Sequence, residues 1–181
     1  MSGDVELMIA SARERLASGA QLERHEVIGT AGDRVVITRN LWAGGPADGR
    51  FEVEFLVMHE IDADGLSTAH IFFDPDDPRA AQREAWARWA AIDPTVVELT
   101  AHQDEMIDGW NVKDVERLRA AIAEDLVAED HRWTGTGRSE EREAYLRSVI
   151  ALWELAPESR LDAGLFWLAT APYGSVSVCR R

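Results

Sequence analysis

The spacing of apolar residues changes period several times along the chain, and each change marks an element. Val5, Met8, Ile9, Ala12 and Leu16 recur at helical spacing, which predicts a helix over 4–17 capped by Asp4 and ended by Ser18-Gly19. Two strands are predicted at 24–30 and 34–42, joined by the turn residues Ala31-Gly32-Asp33. The clearest period of two spans 50–60. There Phe51, Val53, Phe55 and Val57 share one face, with Glu52 and Glu54 on the other. Asp62-Ala63-Asp64-Gly65 turns that strand back onto 66–73. Asp77 then caps a helix with Pro78 in its first turn, running to about Ala91.

The rest of the chain returns to helical spacing. Asp93-Pro94 predicts a helix to about Asp108, broken at Gly109-Trp110-Asn111. A second helix covers 112–125, with Val115, Leu118, Ile122 and Leu126 on its buried side. A strand over 127–133 leads to Gly135-Thr136-Gly137. Ser139 is then expected to cap a helix carrying Tyr145, Val149, Leu152, Trp153 and Ala156 on one stripe and stopped by Pro157. Strands at 160–170 and 174–180 flank a turn at Pro172-Tyr173-Gly174. Residues 5–39 and 142–180 share one rhythm: helix, loop, strand, turn, strand, arginine. That rhythm suggests an internal repeat whose copies are spaced by roughly 140 residues, about the size of a small domain. The element list predicts an α+β protein.

Charge narrows the partners. The formal net charge is −14, so a groove for nucleic-acid phosphates or an anionic membrane surface is not expected. No apolar run is long enough to span a bilayer and no basic-then-apolar leader opens the sequence. The single cysteine, Cys179, rules out a disulfide within the chain. Together these predict a soluble, cytoplasmic protein. Lys113 is the only lysine, which reads as codon usage rather than chemistry.

Two stretches resemble a known family. Phe51-Glu52-Val53-Glu54-Phe55, the Asp62–Gly65 turn, Ile71-Phe72-Phe73-Asp74 and the following Ala/Arg/Trp helix resemble the closing section of a SnoaL-like unit of the nuclear transport factor 2-like superfamily. The break Asp108-Gly109-Trp110-Asn111, the helix from Val112, Asp130-His131-Arg132, the Gly-Thr-Gly loop and the helix from Arg142 resemble the opening section of another. The resemblance implies a cone-shaped fold, a curved antiparallel sheet packed against helices around a largely apolar pocket. Here the sections come as an ending (1–91) followed by a beginning (92–181), so the expected cone is incomplete or permuted. Two arrangements stay open: a fragment of a longer tandem protein, or a permuted or swapped domain. Unfinished sheet edges favour pairing within the chain, with a second copy, or with flanking domains.

Candidate chemistry concentrates in Asp130-His131-Arg132-Trp133. On a strand, His131 and Trp133 share a face, where His131 is a candidate acid/base with Asp130 and Trp133 a wall. Asp130 and Arg132 also suit a plain ion pair. His59 and His70 sit opposite each other if the hairpin turn has two residues, and a three-residue turn with a bulge at Gly65 separates them. No third ligand accompanies them, so no metal is expected. Seven tryptophans suit core packing or a ligand lining, with Trp110 and Tyr145 in positions to line a pocket beside Arg132 and Trp133. No phosphate loop, nucleophile elbow or Cys–His arrangement is present. The expectations are a cofactor-free domain that binds a small apolar or aromatic molecule, as a sensing or accessory module of a larger protein. The alternative is a cofactor-independent cyclase or isomerase using His and Asp. A third reading is a dimerisation module.

Overall fold

The computed structural model describes residues 17–46, 48–131, 133, 135 and 137–161, helical positions at 6, 9, 10, 13 and 14, and the backbone of 166–171 and 174–178. The predicted helix over 4–17 is helical wherever it is described. The last predicted turn and the cysteine fall partly or wholly outside the described residues.

Four strands form an antiparallel meander: β1 (Gln21–Ala31), β2 (Val35–Gly44), β3 (Phe51–Ile61) and β4 (Ser67–Phe73). Two further strands, β7 (Phe166–Ala171) and β8 (Gly174–Val178), extend it to six in the order β4-β3-β2-β1-β7-β8. The junction is parallel, with Gly29 paired to Trp167, so a hairpin from the end of the chain closes the free edge of a sheet from its beginning. Asn111 helps return the chain there. Its amide donates to the Leu161 carbonyl and accepts from the Leu161 N–H, both at 2.9 Å.

One sheet face is covered by α1 (Pro78–Ile92). This helix starts where its sequence says: Pro78 has no N–H to lose, and Asp77 accepts from the Ala80 N–H at 3.0 Å. Ala81, Ala85, Trp86 and Trp89 form its buried stripe against Val35, Ile37, Leu56 and Met58. Leu56 and Met58 are fully buried, each contributing about 1.5–3 kcal/mol by leaving water. Gly32 makes the β1–β2 turn with φ +64, and a Cβ there would lie 2.5 Å from the Trp89 indole nitrogen. Turn and helix therefore require glycine at that position together.

A 3-10 turn (Pro94–Val96) leads into α2 (Val97–Val112), followed by α3 (Val115–Ala121). The break between them is not where the glycine predicted it. Gly109, Trp110 and Asn111 stay helical, and the chain turns at Lys113 in the left-handed region, φ 57. Gly109 serves the packing of the two helices, since a Cβ there would come 3.1 Å from Arg117 and 3.2 Å from Leu118. α3 is shorter than the predicted 112–125 and is capped by Asp114, which accepts from the Glu116 and Arg117 N–H groups.

The segment after α3 forms a separate two-stranded ribbon, β5 (Val127–Asp130) with β6 (Gly137–Glu140). The predicted strand to residue 133 stops at Asp130. Ser139, expected as a helix cap, lies within β6 instead, and α4 (Arg142–Leu155) begins after Glu141 with no side-chain cap. Leu118, Leu146, Val149 and Trp153 make a second small core there. Arginines join α1 to α2: Arg79 and Arg83 both bind Asp104 and Asp108, with Arg83 to Asp108 at 2.6 Å. No described helix is long and apolar enough to cross a membrane.

Candidate functional site

The ribbon does not lie flat on α4. Pairing sets Ala128 opposite Ser139 and Asp130 opposite Gly137, so period two points these positions toward the helix. From α4, Tyr145, Val149 and Leu152 face them, and Trp110 of α2 forms the end wall. Between them lies a cavity of about 360 Å³. Trp110 is held edge-on against Trp153, with ring centroids 5.9 Å apart and planes at 77°.

The cavity's polar groups are unbalanced. The Trp110 indole nitrogen and the Ser139 hydroxyl, both on lining residues, are buried without a hydrogen-bond partner, as is the indole nitrogen of Trp153 behind Trp110. Leaving such a group unmade costs about 1–3 kcal/mol. Burial also pushes the Tyr145 phenol above its ordinary value, so it stays neutral and can donate. Acid groups gather at the ribbon: Asp130 and Glu129 both line the cavity, and Glu129 is tied to Arg138 at 2.5 Å and His131 at 3.3 Å.

Three residues expected in one pocket, Trp110, Asp130 and Tyr145, are brought together here. Others expected with them are not. β5 ends before His131, and Asp130 takes the inward position, so period two would in any case turn His131 to the other face. Its side chain is 86% exposed, and Trp133 is fully exposed. Both stand outside the cavity, so an acid/base role there has no imidazole. Arg132 lies outside the described residues. Ser139 was missed because Ser-Glu-Glu before an apolar stripe reads as a helix start, whereas here it is the inward position of a strand.

His59 and His70 are opposite one another, ring centroids 4.7 Å apart and planes at 75°. The turn is the longer kind: Asp62 receives the Gly65 N–H and bonds Leu66, and its side chain accepts from the Asp64 and Leu66 N–H groups. A register shift after Glu60 restores the alignment that a three-residue turn would have broken. The pair belongs to a longer polar row across the sheet face opposite α1. His25 on β1 donates from Nδ1 to Asn40 Oδ1 at 2.7 Å. Asn40 donates to Thr38 Oγ1 at 3.0 Å, and Thr38 Oγ1 is 3.4 Å from His59 Nε2. His70 Nε2 meets Ser67 Oγ at 2.7 Å. Thr38 and Asn40 are 3% and 6% exposed. Burial first, then His70 and His25, hold the His59 imidazole below its ordinary value.

Among the described residues no group of three or more His, Cys, Asp or Glu is placed to hold a metal ion. The chain matches no family model, no curated protein and no solved structure.

Proposed function

We propose that this chain binds a small, largely flat aromatic molecule in the cavity between α4 and the β5–β6 ribbon. The observation that carries the reading is a pair of buried, unpartnered polar atoms, Trp110 Nε1 and Ser139 Oγ, on residues that line a space of ligand size. A cavity of about 360 Å³ is at the low end of small-molecule sites and suits roughly two fused rings. The ligand's body would pack on Trp110, Tyr145, Val149 and Leu152. An acceptor on it would satisfy the indole N–H, and a hydroxyl or amine would meet Ser139 and the Asp130 side of the ribbon.

No cofactor and no covalent step is needed for this role. The test is a titration with 2-naphthol, quinoline and naphthalene, read by quenching of tryptophan fluorescence and by calorimetry. The polar probes should bind more tightly than naphthalene, and Trp110→Phe should weaken quinoline about tenfold, one hydrogen bond's worth. Equal binding of all three, or an unchanged quinoline affinity in Trp110→Phe, would remove the basis for the proposal.

A further inference from the structure

The polar row on the other sheet face is not explained by the cavity. On that face β1 presents Val27 and His25, β2 Thr38, Asn40 and Trp42, β3 Val53, Phe55, Val57 and His59, and β4 His70 and Phe72. The row therefore runs diagonally through an apolar field. Val53 is about half exposed and Val27 and Phe72 more than half, and Phe55 and Phe72 meet at 5.6 Å.

The charges of the same strands are sorted to the opposite side. Glu26, Glu52, Glu54 and Glu60, with Arg24 and Arg39, alternate onto the face that carries α1. Arg24 and Arg39 approach Glu54, and Glu60 binds Arg88 of α1 at 2.6 Å. Among the described strand positions of the row's face, the titratable groups are His25, His59 and His70, in a chain of net charge −14; Asp74 and Asp77, beyond the end of β4, line a hollow with Phe55 and Phe72 and so turn a ligand's acid group away from that end and toward the histidines. Three imidazoles, an amide and a hydroxyl, without a carboxylate among them and set in apolar surface, are complementary to an apolar acid.

The network also has room for a proton. Thr38 Oγ1 accepts from Asn40, and its own hydrogen has two acceptors in reach, His59 Nε2 at 3.4 Å and the Val57 carbonyl at 3.5 Å. In the neutral tautomer with Nε2 unprotonated, Thr38 donates to His59. Once His59 is protonated, Nε2 becomes the donor and the hydroxyl turns to Val57, so no buried group is left unmade. What opposes protonation is burial and the neighbouring imidazoles, and a bound carboxylate supplies the missing counter-charge.

We propose that the His25–Asn40–Thr38–His59–His70 face is a second binding site, for a small apolar carboxylate such as an aryl or alkyl acid, taken up together with a proton. The acid group meets His59 and His70, and the body lies along Phe55 and Phe72. Affinity rises as pH falls, by up to about tenfold per unit below the ordinary imidazole value for one proton taken up.

The experiment is calorimetry of the full chain with phenylacetate and its neutral isostere phenylacetamide, at pH 7.5 and 6.0, in buffers of different ionisation heat to count protons. Phenylacetate should bind at least tenfold tighter than the amide at pH 6.0, tighten between the two values, and take up a proton. His59→Gln should abolish the pH dependence and His70→Gln should weaken phenylacetate at both pH values, while Ser139→Ala should leave phenylacetate binding unchanged. The imidazole resonances of His59 and His70 should shift on binding. Equal binding of acid and amide, absence of binding at both pH values, or loss of binding in Ser139→Ala with the histidine variants unaffected, would overturn the proposal.

Discussion

The sheet with α1 and the helical half with its ribbon handle burial differently. The core on the sheet gathers eleven buried residues, Val96 and Ile107 from the following helical segment among them, and the core beside the ribbon only four. In the first, the buried polar residues Thr38 and Asn40 are hydrogen-bonded into a row. Both regions hold buried unpartnered atoms, Arg79 Nε and Gln82 Nε2 on α1 among them, but in the second Trp110 and Ser139 carry theirs on residues that line a cavity. A region that spends its sequence on packing holds the fold, and a region that sets unmade polar groups on the walls of a cavity is built to be completed by something else.

The largest effect should come from the first core. Leu56→Ala removes a fully buried side chain between β2, β4 and α1, and should lower stability by about 2–5 kcal/mol, measured by chemical denaturation. Leu146→Ala is as buried but borders the smaller core, where neighbours can relax toward the cavity, so its cost should sit near the low end of about 2 kcal/mol. Hydrogen exchange sharpens the contrast. Leu146→Ala should speed exchange in α3, α4 and the ribbon and leave β2 and β3 protected. Equal loss of protection in both regions would mean that they unfold as one.

Asp108 joins the regions through Arg79, Arg83 and, more distantly at 3.7 Å, Arg117. Its carboxylate is about one-third exposed, which screens the pairs. Asp108→Asn should therefore cost about 1 kcal/mol, and the difference from the parent should shrink in high salt. A cost that is independent of salt would place the contribution in packing, not charge.

What could be read beforehand follows the same division. The meander, its turns and the Asp77-Pro78 helix start were legible because period two, turn residues and caps are local signals. The pairing of His59 with His70 was legible only as a choice between turns, and the register shift after Glu60 decided it in a way no turn rule contains. The sequence predicts a helix break at Gly109 because glycine usually marks one. The requirement it meets is the approach of Arg117 and Leu118, which appears only once two helices are packed. His131 was misplaced by extending an alternation three residues past the strand's end and by taking the face opposite Asp130 for the inward one. His25, Asn40 and Thr38 gave no signal, since their row crosses strands and exists only in the pairing.

Ser139 offers a smaller test of the claim that unmade polar groups mark a ligand site. Ser139→Ala removes a buried hydroxyl that has no partner, so the free protein should gain about 0.5–1 kcal/mol. The same variant should weaken 2-naphthol in the cavity. A gain in stability with a loss in binding separates function from fold, whereas a loss of stability would mean that the hydroxyl is satisfied in solution.

The smallest effect is the response to pH, and the two regions should answer at opposite ends. His59 in the sheet is held below its ordinary value of 6.5, by burial and then by His70 and His25. The unfolded chain then binds this proton more readily than the folded one. The stability concerned is complete above pH 6.5 and declines as pH falls through it toward the lower folded value. Tyr145 beside the cavity is held above its ordinary value of 10.0 by burial. Here the unfolded chain ionises first, so stability is complete below pH 10.0 and declines as pH rises past it. Melting followed from pH 5 to 11 should show both shoulders. His59→Gln should flatten only the acid one and Tyr145→Phe only the alkaline one. If a probe in the sheet and a probe in the ribbon each reported both shoulders, the two regions would share one unfolding step, and the division drawn between a packed half and a receptive half would hold for their surfaces but not for their stability.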